Sequence, residues 1–105
     1  MDTASIDIEA LGDELFDALR ERRTLAPLTS RHGGITVDDA YRISLRFLAR
    51  REAAGERVIG KKIGVTSKPV QDMLGVFQPD FGILLDAMQY ADGATVSLSQ
   101  SGLIQ

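Results

Sequence analysis

From the outset the chain sets apolar positions at a helical period. Ile8, Leu11, Leu15, Ala18 and Leu19 recur on one face of residues 6–23, the spacing of an amphipathic helix. Acids come early (Asp7, Glu9, Asp13, Glu14) and arginines late (Arg20, Arg22, Arg23), the order the helix dipole favours. Pro27 and Gly33-Gly34 mark residues 24–34 as a connection. A second helix is predicted over residues 37–54, with Thr36 as its N-cap and Asp38 and Asp39 in its first turn. Its apolar stripe is Val37, Ala40, Tyr41, Ser44, Leu45 and Leu48, widened to the side by Ile43 and Phe47. So wide a stripe predicts contact with more than one element. Arg42, Arg46, Arg50 and Arg51 fall largely on the remaining surface, where a solvated face is the ordinary reading. Gly55 is placed to end the helix.

After Gly55 the period changes to two. Residues 58–67 read Val-Ile-Gly-Lys-Lys-Ile-Gly-Val-Thr-Ser. As a strand, one face carries Ile59, Lys61, Ile63 and Val65, and the other carries Val58, Gly60, Lys62, Gly64 and Thr66. Lys62 thus has a glycine on each side of it on its own face. Glycine inside a strand often marks the close approach of a ligand or another backbone, and a cation in such a space suits an anionic acid. The plain alternative is a solvated lysine on an outer face, since lysine is rarely buried unless paired. Lys61, between Ile59 and Ile63, is expected to snorkel its charge to the edge.

A short helix follows, capped by Ser67, with Pro69 in its first turn and Gly75 at its end. Val70, Met73 and Leu74 are expected to form its buried side. Helix starts bind anions through free N–H groups, so Thr66 and Ser67 are candidate substrate-binding residues. Residues 78–82, Gln-Pro-Asp-Phe-Gly, form a loop signal around Asp80. There a turn aspartate bonding its own backbone is the plain reading. Residues 83–85 read as a short strand reaching towards Met88, Asp92-Gly93 as a hairpin turn, and residues 95–98 as a further strand.

Composition narrows the classes. A length of 105 residues fits one small domain or part of a larger one. A net charge of −3 and a pI near 5.0 argue against nucleic acid as a partner, because phosphate contacts need clustered Lys and Arg. Without cysteine there is neither a disulfide framework nor thiolate chemistry. The single histidine, His32, sits in a loop beside Arg31 and two glycines, where a solvated side chain is the ordinary reading. The acidic, amphipathic start is not that of a signal peptide, and no run approaches the roughly 20 apolar residues of a membrane helix. No phosphate-cradling or dinucleotide glycine motif, HExxH or cysteine metal cluster occurs.

The residues do carry a resemblance. Thr29-Ser30-Arg31, Asp39-Ala40-Tyr41, Gly60-Lys61-Lys62-Ile63-Gly64-Val65-Thr66-Ser67 and Gln78-Pro79-Asp80-Phe81-Gly82 together resemble the hydratase/decarboxylase family of the fumarylacetoacetase superfamily, over nearly the whole chain. The resemblance implies an α+β fold and a single incomplete domain. N-terminal helices (residues 1–56) would lead into the first strands (57–105) of a mixed β-roll. It implies a cytoplasmic homo-oligomer acting on a small 2-oxo or 2-hydroxy-dienoic acid, with no nucleic-acid or membrane partner. The reaction implied is addition of water to 2-hydroxypenta-2,4-dienoate to give 4-hydroxy-2-oxopentanoate, in meta-cleavage degradation of aromatic compounds. Mg²⁺ or Mn²⁺ would chelate the substrate's carboxylate and 2-oxo oxygen.

Two positions match the family's functional residues. Lys62 would face the substrate and stabilise negative charge or relay a proton, and Asp80 would transfer a proton or orient Lys62. The resemblance reverses the plain reading of both. An aspartate in the 78–82 segment is hydratase-like; the sister 2-oxo-3-hexenedioate decarboxylases usually lack it. Such a decarboxylase is the alternative within the family, and a non-catalytic piece that packs on a partner is the alternative outside it. Family members continue past a Leu-Ile-Gln-Pro segment into a Glu-x-Glu pair and a later acid, which bind the metal. The sequence is therefore expected to be the N-terminal portion of a longer enzyme, or a truncated reading frame, with its metal ligands beyond Gln105.

Overall fold

The computed structural model describes residues 6–97 of the chain. They divide into two compact units, one spanning Glu56–Asp92 and the other built from the chain up to Gly55 together with Gly93 onward. Helices and a two-stranded antiparallel sheet make up the regular structure, as the α+β expectation requires. No helix among the described residues is long and apolar enough to cross a membrane.

The first unit rests on two helices. α1 (Ile8–Glu21) begins where the Asp7 carboxylate accepts from the Ala10 amide at 3.0 Å, and it ends at Arg22, in the left-handed region with φ 57°. α2 (Leu28–Arg31) is one turn inside the predicted connection. α3 (Val37–Ala53) starts with a capping box. The Asp39 amide donates to Thr36 Oγ1 and the Thr36 amide donates to Asp39 Oδ2, each at 3.0 Å, so two otherwise orphaned donors are satisfied reciprocally.

α1 packs on α3, and Gly12 sets how closely. A Cβ at Gly12 would stand 2.5 Å from Arg46 Cγ and 3.1 Å from the Ile43 carbonyl oxygen, so the missing side chain is what lets the two backbones meet. Leu11, Phe16, Ala18 and Ile43 are buried. This recentres the α3 stripe: Ile43, expected at its side, is 2% exposed, whereas Val37 is 60% and Leu45 63% exposed. One facing helix covers one arc, and α1 covers the arc of Ile43.

The arginines of α3 also depart from expectation. Arg46 and Arg50 are half-buried and clasp α1: Asp13 accepts from Arg46 Nε at 2.8 Å and lies 3.0 Å from Arg50 Nη1. Arg50 also lies over the Phe16 ring, 4.6 Å from its centre, a cation–π contact. The Arg46 guanidinium, and Arg50 after it, hold the Asp13 carboxyl below its ordinary value. Asp13 in turn raises Arg46.

The second unit is a hairpin-like pair joined by a helical turn. β1 (Val58–Gly64) pairs antiparallel with β2 (Asp80–Leu85), and α4 (Lys68–Leu74) lies between them in the chain. Ser67 caps α4 through its hydroxyl, and Gly75, with φ 73°, ends it, as predicted, but the expected buried side, Val70, Met73 and Leu74, is exposed because no element of this unit covers it. A 3₁₀ turn, Asp86–Met88, follows β2. Asp86 closes the far end of the pair by accepting from the Arg57 amide and donating its own amide to the Arg57 carbonyl.

The register corrects the sequence reading in three ways. Gly60 faces Leu84, Lys62 faces Gly82 and Gly64 faces Asp80, but Val58 faces Leu85, with an irregularity between Val58 and Gly60. Ile59 is therefore an extra residue, a bulge, and Val58 shares the face of Lys61 and Ile63, not that of Lys62. Strand β1 stops at Gly64, and Val65 turns left-handed with φ 57°, so the alternation does not run on to Val65 and Thr66. Asp80 opens a strand instead of sitting in a loop, because its segment pairs with β1. Of the strand expected at residues 95–98, residues 95–97 have no regular structure, and Leu98 lies outside the described residues.

Candidate functional site

One face of the β1–β2 pair has few side chains. It carries Gly60, Lys62 and Gly64 on β1 opposite Leu84, Gly82 and Asp80 on β2. The Lys62 stem lies along Gly82. A Cβ at Gly82 would stand 3.4 Å from Lys62 Cε and 3.6 Å from its Cγ. The same side chain reaches towards Gly64, where a Cβ would stand 3.7 Å from Lys62 Nζ and 3.0 Å from Asp80 Oδ1. The ammonium and the carboxylate thus converge on one point above Gly64, and glycines on both strands leave them room. Lys62 and Asp80 are both exposed, open to a solute from solvent. Among the described residues no ion pair holds them to one another or to a third group.

Of the four residues singled out from the sequence, the structure brings Lys62 and Asp80 together. Thr66 is exposed beyond the left-handed turn, and the Ser67 hydroxyl accepts from the Val70 amide at 3.4 Å as the cap of α4. Neither is hydrogen-bonded to Lys62. Gly82 is the residue that sequence reasoning missed, yet it sits two residues after Asp80 just as Gly64 sits two after Lys62; that repeated spacing was the available signal. His32 lies in the helical unit. It lines an open cavity of about 450 Å³ together with Asp13, Asp17 and Arg31.

A neighbouring ammonium and carboxylate on an open face can bind an anionic acid, stabilise charge that develops beside its carboxylate, and pass a proton. Among the described residues no group of three or more His, Cys, Asp or Glu side chains could hold a metal ion.

Comparison with known proteins shows what the chain is similar to. No family profile matches the chain. It is 68% identical over 98 residues to a 2-hydroxyhexa-2,4-dienoate hydratase of Comamonas testosteroni, an alignment covering 93% of the chain and 37% of that protein. It is 64% identical to a 2-hydroxypent-2,4-dienoate hydratase of Pseudomonas putida, covering 93% of the chain and 44% of the relative. Among solved structures it resembles 4-oxalocrotonate decarboxylase from Pseudomonas putida G7, complexed with magnesium and adipate, with a TM-score of 0.73 and 27% identity. That match covers 79% of the chain and 33% of the neighbour. The chain is thus homologous to enzymes that add water to, or remove carbon dioxide from, small unsaturated oxo acids. By sequence it is similar to 2-hydroxydienoate hydratases, and it spans 37% and 44% of the length of these two relatives.

Proposed function

We propose that this chain is part of a hydro-lyase that hydrates 2-hydroxypenta-2,4-dienoate, or a close alkyl homologue, to the 4-hydroxy-2-oxo acid. The observation that carries this is its 68% and 64% identity to two hydratases of such dienoates. The geometry fits the chemistry. A proton delivered to C5 of the dienol, with loss of the 2-hydroxyl proton, gives the conjugated 2-oxo-3-enoate. Water oxygen then bonds to C4 and a proton reaches C3, so the product equals substrate plus one water. Negative charge collects on the 2-oxo oxygen beside the C1 carboxylate as water adds. Lys62 answers that charge, and Asp80, meeting it above Gly64, transfers the proton or orients the ammonium. Thr66 and Ser67 are read as donors to the substrate carboxylate.

A divalent metal, Mg²⁺ or Mn²⁺, belongs to this reading; the decarboxylase neighbour was solved with magnesium and also with calcium. When bound, it would polarise the 2-oxo group. The described residues offer no ligand set for it; the roles read for Lys62 and Asp80 are charge stabilisation and proton transfer. The wider reading is a cytoplasmic homo-oligomer with a mixed β-roll core, working in the meta-cleavage breakdown of aromatic compounds.

The structural neighbour favours a second reading, decarboxylation of 2-oxo-3-hexenedioate. Grafting this chain in place of the matching stretch of the Comamonas testosteroni relative separates the two. The graft is expected to consume the pentadienoate with water uptake and to release no carbon dioxide from the hexenedioate. In it, Lys62→Ala should lower kcat by about 10²-fold or more. Near-normal kcat at saturating metal would remove Lys62 from the mechanism.

A further inference from the structure

Among the described residues, two other than glycine have positive φ, Arg22 and Val65, each at 57°. Arg22 is accounted for: it caps α1, and its amide and that of Arg23 return to carbonyls of the last turn. Val65 ends no helix. It is β-branched, the residue type for which the left-handed region is least favourable, and nothing in its own sequence explains the choice. Its position is informative. It directly follows Gly64, the residue above which Lys62 Nζ and Asp80 Oδ1 converge. Strained backbone persists only where its surroundings hold it, and it gathers at functional sites.

Gln71 supplies the hold. Its Nε2 donates to the Val65 carbonyl at 3.0 Å in a half-buried setting. Gln71 is itself fixed, its amide donating to the Ser67 carbonyl and its carbonyl accepting from the Val76 amide, both at 3.0 Å. Were Val65 to relax to the extended region, β1 would run on past Asp80, and Thr66 would continue the Lys62 face over the space the glycines leave. The turn instead ends the strand at the residue paired with Asp80.

We propose that Gln71 is a positioning residue: through the Val65 carbonyl it holds the left-handed turn that stops β1 at Gly64 and keeps the Lys62–Asp80 face open to a small organic acid. The proposal rests on the hydratase reading for its substrate but not for its geometry, and the test separates the two.

In the 105-residue chain, Gln71→Leu is measured in the parent and in a Val65→Gly background, where the turn needs no holding. The unfolding constant should rise about tenfold in the parent, the size of one hydrogen bond, and far less in the Val65→Gly background. Gln71→Glu, equally long but with no proton to offer at neutral pH, should show the same dependence on residue 65. Equal losses in both backgrounds overturn the proposal. The second readout is dienoate hydration by the same variants in the graft into the Comamonas testosteroni relative. Gln71→Leu should lower kcat about tenfold with little change in KM, and Val65→Gly should restore it. Coupled stabilities with unchanged kcat reduce Gln71 to a structural staple and overturn its positioning role. Absence of turnover in the parent graft counts against the hydratase reading alone, and the coupling then decides.

Discussion

The helical unit and the sheet unit solve the same problem, covering apolar surface, with opposite success. α1 and α3 close on one another through Gly12, bury Ile43 and Phe16, and draw a line of ion pairs along the seam from Glu9 and Asp13 to Arg46 and Arg50. The sheet unit buries Leu85 but leaves Ile63 70% and Phe77 94% exposed, with Met73 and Leu74 of α4 also in water. A lone two-stranded pair is marginal without a third strand or a covering layer. The contrast teaches that the part carrying the candidate chemistry is the part least able to hold itself, whereas the part with no assigned chemistry is well packed.

That contrast can be broken by measurement. The largest effect is expected at Ile43: Ile43→Ala should cost about 2–5 kcal/mol, because a fully buried side chain leaves a cavity. A loss below about 1 kcal/mol in equilibrium unfolding would show that the helical core is not where stability resides. Next comes Gly12→Val, whose Cβ would meet the rigid base of the Arg46 side chain; it should cost about 1–3 kcal/mol by overpacking. A neutral result would mean that the helices can part without penalty.

The third test is acid. Because Arg46 and Arg50 hold the Asp13 carboxyl below its ordinary value, the clasp stabilises the folded state above that ordinary value. The contribution is lost as pH falls through the lower, folded value. Thermal midpoints taken from neutral pH downward should therefore drop at acid pH, and Asp13→Asn should flatten that limb. An unchanged limb would dismiss the clasp. The smallest effect belongs to the sheet unit: Phe77→Ser should change unfolding free energy by no more than about 0.5 kcal/mol, as surface substitutions do. A larger loss would reveal cover for Phe77 that the exposed ring does not show.

Much of this was legible in the residues. Thr36 with Asp39, Ser67 with Gly75, and the helical periods mark element ends through local chemistry, which sequence records directly. Ile43 escapes such a reading because periodicity gives a stripe but not which part of it a neighbour will cover. Arg46 and Arg50 look solvated in sequence because their partner acids lie on another helix, beyond any local pattern. The bulge at Ile59 moves Val58 across the sheet, a shift that counting in twos cannot anticipate. At Asp80 the turn preferences of Pro and Gly point to a loop, and pairing with β1 overrides them. The Lys62–Gly82 contact needs the register, though the matched glycine spacing on both strands foreshadows it.

Lys61 and Lys62 stand side by side, so a slip of one position would still present an amine beside Asp80. It would present the wrong one, set between Val58 and Ile63 on its face instead of over bare backbone. Charge alone cannot tell the two alignments apart; the hydrogen-only positions at 60, 64 and 82 can. In this hairpin the residues without side chains spell out the frame, and the cation merely reads it.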